Sequence, residues 1–231
     1  IPLVFFATGL CLLQHGQAQS KLALSGLDEF KSAGANWHIA ADVKADLSQN
    51  NILTFSTGTG VLVNLPVEAA REDLFTNLQH GDLDIELDYM MAKGSNSGIY
   101  LQGRYEVQLL DSWGVQNPNS GDNGGIYERW DDAKPEGNNG YDGHAPRQNV
   151  SRAPGLWQHL KISFQAPKFE GGVKVANAKM ISITLNGVLI QENVELSGPT
   201  RGAVANDEVP VAALRIQGDH GPVAFRNIVL S

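Results

Sequence analysis

At 231 residues the chain has room for one large β domain or, at a stretch, two small ones. A hydrophobic fraction of 42% supports a sizeable core, and 18% charged residues with 25 glycines suit short strands and many turns better than a helical bundle. The formal charge of −8, with no cluster of Lys and Arg anywhere, excludes the usual phosphate-backbone partners, so no nucleic acid is expected.

The first element reads as a signal, with an ordered N-terminal strand or a membrane anchor as the alternative. Ile1 to Leu13 are almost continuously apolar, too short a run to span a bilayer, and small residues follow at Gly16 and Ala18 where a signal peptidase would cut. Residues 1–19 therefore read as the remnant of a secretory signal peptide whose basic start is missing. The expected protein is exported, periplasmic or extracellular, with no stable membrane span in its mature form. The only cysteine, Cys11, lies inside this run, so a mature domain over 20–231 would contain no disulfide and must be held together by its core.

From there on, period-two alternation recurs and no amphipathic helix of useful length competes with it. Leu83, Ile85, Leu87 and Tyr89 alternate with Asp84, Glu86 and Asp88, which predicts a half-buried strand with one solvated acidic face. Ile99 and Leu101 alternate with Tyr100 and Gln102; after Gly103, Tyr105, Val107 and Leu109 alternate with Glu106, Gln108 and Leu110. Leu160, Ile162 and Phe164 form another apolar row, as do Ile181, Ile183 and Leu185, and Asn186-Gly187 then marks a hairpin. Leu214 and Ile216 begin the last strand pair, and the slip near Arg226-Asn227 predicts a bulge in the final strand. The pattern predicts an all-β fold of two packed antiparallel sheets.

One stretch breaks the rhythm. Gly114 to Pro154 holds 7 Gly, 6 Asn and 4 Pro along with Tyr127, Trp130 and Tyr141, and its aromatic content predicts a long ordered loop, not a linker. Asp122-Asn123-Gly124 and Asp131-Asp132 are faintly suggestive of calcium but miss the EF-hand spacing, so no cofactor is firmly implied and a divalent metal is one option.

If Ile99, Leu101, Val107 and Leu109 face the core, then Tyr100, Gln102, Glu106 and Gln108 share the opposite face. An aromatic ring, two amides and a carboxylate on one surface suit a carbohydrate, although an ordinary solvated sheet face would read the same way.

The segment Asn96 to Gly103, followed by Tyr105 to Ser112, resembles the core motif of the 3-keto-disaccharide hydrolase domain family. Gly125-Ile126-Tyr127, Gly155-Leu156-Trp157, Leu185 to Val188, Gln217 to Gly221 and Phe225 to Ile228 agree with it in order, while Gln158-His159 after the tryptophan departs from the family's usual Asn. The resemblance implies a concanavalin-like jelly roll acting on a sugar already oxidised at C3. Such a ketone acidifies the C2 hydrogen, so a base can remove it and expel the glycosidic oxygen, after which water adds to the enone.

On that resemblance Glu106 is the candidate base, Asp111 an alternative acid/base or metal ligand, and His220 a donor to the enolate or leaving oxygen. Tyr100, Gln102, Gln108, Tyr127, Gln217 and Trp130 are the candidate substrate contacts. Arg226, beside the bulge, is read as a structural ion-pair partner. The expected partner is a carbohydrate, with further domains or assembly partners left open. Two other readings stay open: a non-catalytic, lectin-like carbohydrate-binding module, and a structural module of a secreted assembly.

Overall fold

The computed structural model describes residues 19–231, which leaves the expected signal remnant (Gln19 apart) and Cys11 outside the described residues. Its strands begin with β1 (Ser20–Lys21), β2 (Phe30–Lys31), β3 (Trp37–Ala45), β4 (Leu53–Asn64), β5 (Leu74–His80) and β6 (Leu83–Met91). Then come β7 (Asn96–Leu101), β8 (Tyr105–Leu110), β9 (Arg129–Trp130), β10 (Gly140–Tyr141), β11 (Gln158–Gln165) and β12 (Lys168–Glu170). The last are β13 (Val173–Ala176), β14 (Ala178–Leu185), β15 (Val188–Leu196), β16 (Ala212–Ile216) and β17 (Val223–Leu230).

Among the described residues there is no helix, and so none long and apolar enough to cross a membrane. The larger sheet runs β15-β14-β11-β6-β17-β4-β3, with β1 added beside the far end of β17. The smaller runs β2-β5-β16-β7-β8. All the strand pairs in both are antiparallel, giving the two-sheet sandwich that the alternation predicts, of the jelly-roll kind that the resemblance implies.

Alternation decides the core. Leu83, Ile85, Leu87 and Tyr89 of β6 and Leu160, Ile162 and Phe164 of β11 meet Ile99, Leu101, Val107 and Leu109 of the smaller sheet in one buried cluster. Each such side chain taken out of water contributes about 1.5–3 kcal/mol, the main stabilising term in a domain without disulfides. On the outer face of β6 the acidic row is partnered across the sheet. Glu86 lies 2.9 Å from Lys161, and Asp88 lies 2.8 Å from His159 and 3.2 Å from Arg226.

Local signals fall where their chemistry requires. Asn186 and Gly187 both have positive φ and join β14 to β15 with Leu185 paired to Val188. The ladder between β17 and β6 shifts register after Arg226, and Asn227 takes a φ of 53°, which is the bulge expected there.

The stretch from Gly114 to Pro154 is ordered, but mainly by its amides and carboxylates and less by its aromatic rings. Asp122 accepts from Ser112 Oγ and from the Asn119 amide, each at 2.8 Å; Asn123 accepts from Tyr89 Oη, and Asn149 Nδ2 donates to Ser112 O and Val115 O. Its middle adds a short ladder to the edge of β8, with Ile126 bridging Val107 on one side and His144 on the other.

Candidate active site

The smaller sheet's register sets three polar side chains in a row. Arg215 on β16 pairs with Tyr100 on β7, and Tyr100 pairs with Glu106 on β8, so all three project from the same face, away from the core. Arg215 lays its guanidinium 3.6 Å above the Tyr100 ring and places Nε 3.4 Å from Asp73 Oδ2. Two residue pairs along, on the same face, Gly98 lies opposite Gln108, whose Nε2 donates to Asn96 Oδ1 at 2.9 Å.

This face is roofed, which the alternation did not foresee. Thr200 N donates to Arg104 O, Val204 N to Gly103 O, and Tyr127 N to Glu106 O, so two loops close over β7 and β8. Gly202 has a φ of +79°, and a Cβ there would stand 3.0 Å from Tyr100 Oη, so the roof can sit this close only as glycine. Beneath it lies a pocket of about 280 Å³.

Six of the expected site residues line that pocket: Tyr100, Glu106, Gln108, Tyr127, Gln217 and His220. Three do not. Gln102 is fully buried at the β7–β8 turn, where the pleat has ended and a φ of 53° aims its amide at His80 O and Pro210 O. Asp111 lies just past the end of β8 and caps it, accepting from Gly94 N at 2.8 Å and Trp113 N at 3.4 Å. Trp130 stands in the neighbouring pocket. Asn96, Arg201 and Gly202 complete the lining and were not foreseen.

Glu106 is the unusual group. It is 2% exposed, and its Oε2 is buried with no hydrogen-bond partner among the described residues. Burial pushes its carboxyl up to about 8, against the opposing pull of the Tyr100 hydroxyl and the Arg215 guanidinium. The same burial, with Glu106 beside it, drives the Tyr100 hydroxyl well above its ordinary value, so it stays a neutral donor; in this arrangement Oη donates to Arg201 O at 3.4 Å. His220 is half exposed at the rim, with Nδ1 facing the Asp219 carboxylate and 3.1 Å from Gln217 Nε2.

The turn carrying His220 is held from inside. Asn64 is fully buried and its Nδ2 donates to Gly218 O at 3.0 Å and Gly221 O at 3.1 Å, while its Oδ1 accepts from Asn36 at 2.7 Å. Asn64→Ala would leave two carbonyls and one N–H of the Asn36 amide unpaired in the interior, the other N–H keeping its bond to Glu72 O. The expected cost is about 3–5 kcal/mol, read as a lowered urea midpoint, since each buried orphan costs about 1–3 kcal/mol. A loss under about 1 kcal/mol would show that the turn does not depend on this bond network.

Among the described residues no group of three or more His, Cys, Asp and Glu side chains is placed to hold a metal ion. The loop carboxylates are engaged locally: Asp131 Oδ1 accepts from Ala133 N, and Asp132 Oδ1 from Trp130 Nε1.

The fold is a two-sheet β-sandwich whose smaller sheet carries a roofed polar pocket lined by the buried Glu106 carboxyl. The chain belongs to the 3-keto-alpha-glucoside-1,2-lyase-like domain family, whose model matches residues 27–231. Two crystal structures of provisionally assigned glycosyl hydrolases from Parabacteroides distasonis ATCC 8503 share its fold. One has a TM-score of 0.60 at 20% identity over 97% of this chain and 99% of that one. The other has a TM-score of 0.58 at 18% identity over 92% and 98%. No curated protein matches the sequence.

Proposed function

We propose that the protein cleaves 3-keto-glycosides by elimination followed by hydration. Glu106 takes the C2 proton, the C2–H electron pair forms the C1=C2 bond, and the C1–O bond breaks. His220 delivers a proton to the departing oxygen, while the Tyr100 hydroxyl donates to the oxygen that carries the enolate charge. Water then adds its oxygen to C1, C2 recovers a proton from Glu106, and the proton lost by water restores His220. The sum is hydrolysis with no change of oxidation state.

One observation carries this reading: a carboxyl with an unpartnered buried oxygen and a pKa raised to about 8 borders a pocket that also holds a neutral hydroxyl donor and a histidine. Membership of the family supports the substrate class. A lectin-like module has no need to keep a carboxyl in so costly a place.

The test is to incubate the protein with methyl 3-keto-α-glucoside in D2O. Free 3-keto-glucose carrying deuterium at C2, formed faster than uncatalysed exchange labels the substrate, is the expected result. Release with the original hydrogen retained at C2, together with no slowing of a C2-deuterated substrate, would overturn the elimination route, and no release at all would overturn the enzyme reading. The apolar run within residues 1–19 supports an exported enzyme, tested by whether the secreted protein begins near Gln19.

A further inference from the structure

A second pocket of about 390 Å³ adjoins the first and shares Arg201 and Gly202 with it. The shared wall is tied to both sides. Arg201 O accepts from Tyr100 Oη, Arg201 N donates to Glu128 O at 2.7 Å, and the guanidinium lies 3.7 Å above the Trp130 ring. Trp130 is nonetheless 37% exposed. Tyr141, the other aromatic residue of this pocket, has Lys134 over its ring at 3.3 Å and Arg129 at 5.1 Å. Trp130 is therefore the platform that a ligand can reach.

Resting on the reading of Glu106 as base, we infer that this second pocket is the subsite for the leaving half of a disaccharide, a neutral sugar ring seated against Trp130. Size points that way. The Glu106 pocket alone, at about 280 Å³, falls just short of the usual range of about 300–1,000 Å³ for a small-molecule site, whereas the two together lie well within it. Charge points the same way, because Arg129 and Arg201 are balanced by Asp131 and Asp132 around the pocket. A mixed rim of guanidinium donors and carboxylate acceptors suits hydroxyls, where a rim of one sign would select an ion. An exposed indole beside them supplies the apolar face on which ring C–H groups rest.

The test compares 3-keto-trehalose with methyl 3-keto-α-glucoside, which reaches only the first pocket. Trp130→Ala is expected to lower kcat/KM on the disaccharide about five- to tenfold, the scale of one aromatic contact, and by less than about twofold on the methyl glycoside. Equal losses on both substrates, or none on the disaccharide, would overturn the subsite. If the wild type cleaves neither compound, the catalytic reading falls, and the subsite is judged by binding. The Trp130 indole N–H resonance, assigned by its loss in Trp130→Phe, should then shift on titration with trehalose, and at higher concentration with glucose, the leaving half itself. A resonance indifferent to trehalose would remove the subsite as well.

Discussion

Glu106→Gln should lower kcat on methyl 3-keto-α-glucoside by about 10²–10⁴-fold, the contribution expected of a positioned general base. The amide has nearly the same shape, so pocket geometry is kept and only proton transfer is lost. The ascending arm of the wild-type pH profile follows from the raised pKa: kcat/KM should climb as pH rises toward about 8, because only the ionised carboxyl can take the C2 proton. Retained activity in the amide variant would sink the assignment.

Stability should move the opposite way. The folded pKa lies above the ordinary 4.5, so the folded state favours the protonated carboxyl. The contribution is fully present below about pH 4.5 and is lost as pH rises toward 8, on the order of 5 kcal/mol in all. Glu106→Gln removes this slope, so the variant should melt higher than wild type at pH 8 and close to it at pH 4.5. A base held at such expense explains how a group can be both destabilising and worth keeping.

How much of this was legible in the sequence depended on whether the signal was local. Period-two alternation is written in consecutive residues, so the strands around Leu83, Ile99, Val107 and Leu160 could be read directly, and with them the shared face of Tyr100, Glu106 and Gln108. The same rule reaches Arg215, which lies between the inward Leu214 and Ile216 and so points to the site face, although the motif did not single it out. Gln102 failed because alternation holds only while the pleat lasts, and the pleat ends at Leu101. Asp111 stands outside the pocket for a related reason: past the last residue of β8, it turns its carboxylate onto local backbone.

The remaining features are set by distance along the chain. The roof formed by Thr200 to Val204 has no periodicity and reaches the site through bonds to Tyr100, Gly103, Arg104 and Glu106, about a hundred positions away. Asn64 reads as one polar residue after an apolar run, yet its partners Gly218 and Gly221 lie more than 150 residues further on. The family motif bridged part of this gap by joining Gln217 to Gly221 with Asn96 to Ser112. What it could not supply was the covering that turns a polar sheet face into a pocket.

Gly98→Ala is the sharper test of that pocket. A Cβ on Gly98 would lie 2.3 Å from Glu106 Oε1 and 3.0 Å from its Cγ and Cδ, so the two cannot coexist in the present arrangement. In an ordinary core such overpacking costs about 1–3 kcal/mol because nothing can yield. Here the obstacle is the end of a side chain with an open pocket beside it, so the carboxylate should swing into the cavity and the fold should lose less than that. Catalysis has no such escape. A displacement of about 1 Å costs about 10²-fold, so kcat/KM should fall by that order while the melting temperature changes little. The double variant Gly98→Ala with Glu106→Asp shortens the side chain as the methyl fills its place. It should recover part of the lost activity, whereas Glu106→Asp alone, with its carboxylate drawn back from the pocket, should not surpass it. Full activity in Gly98→Ala would mean that the position of this carboxyl does not govern the reaction.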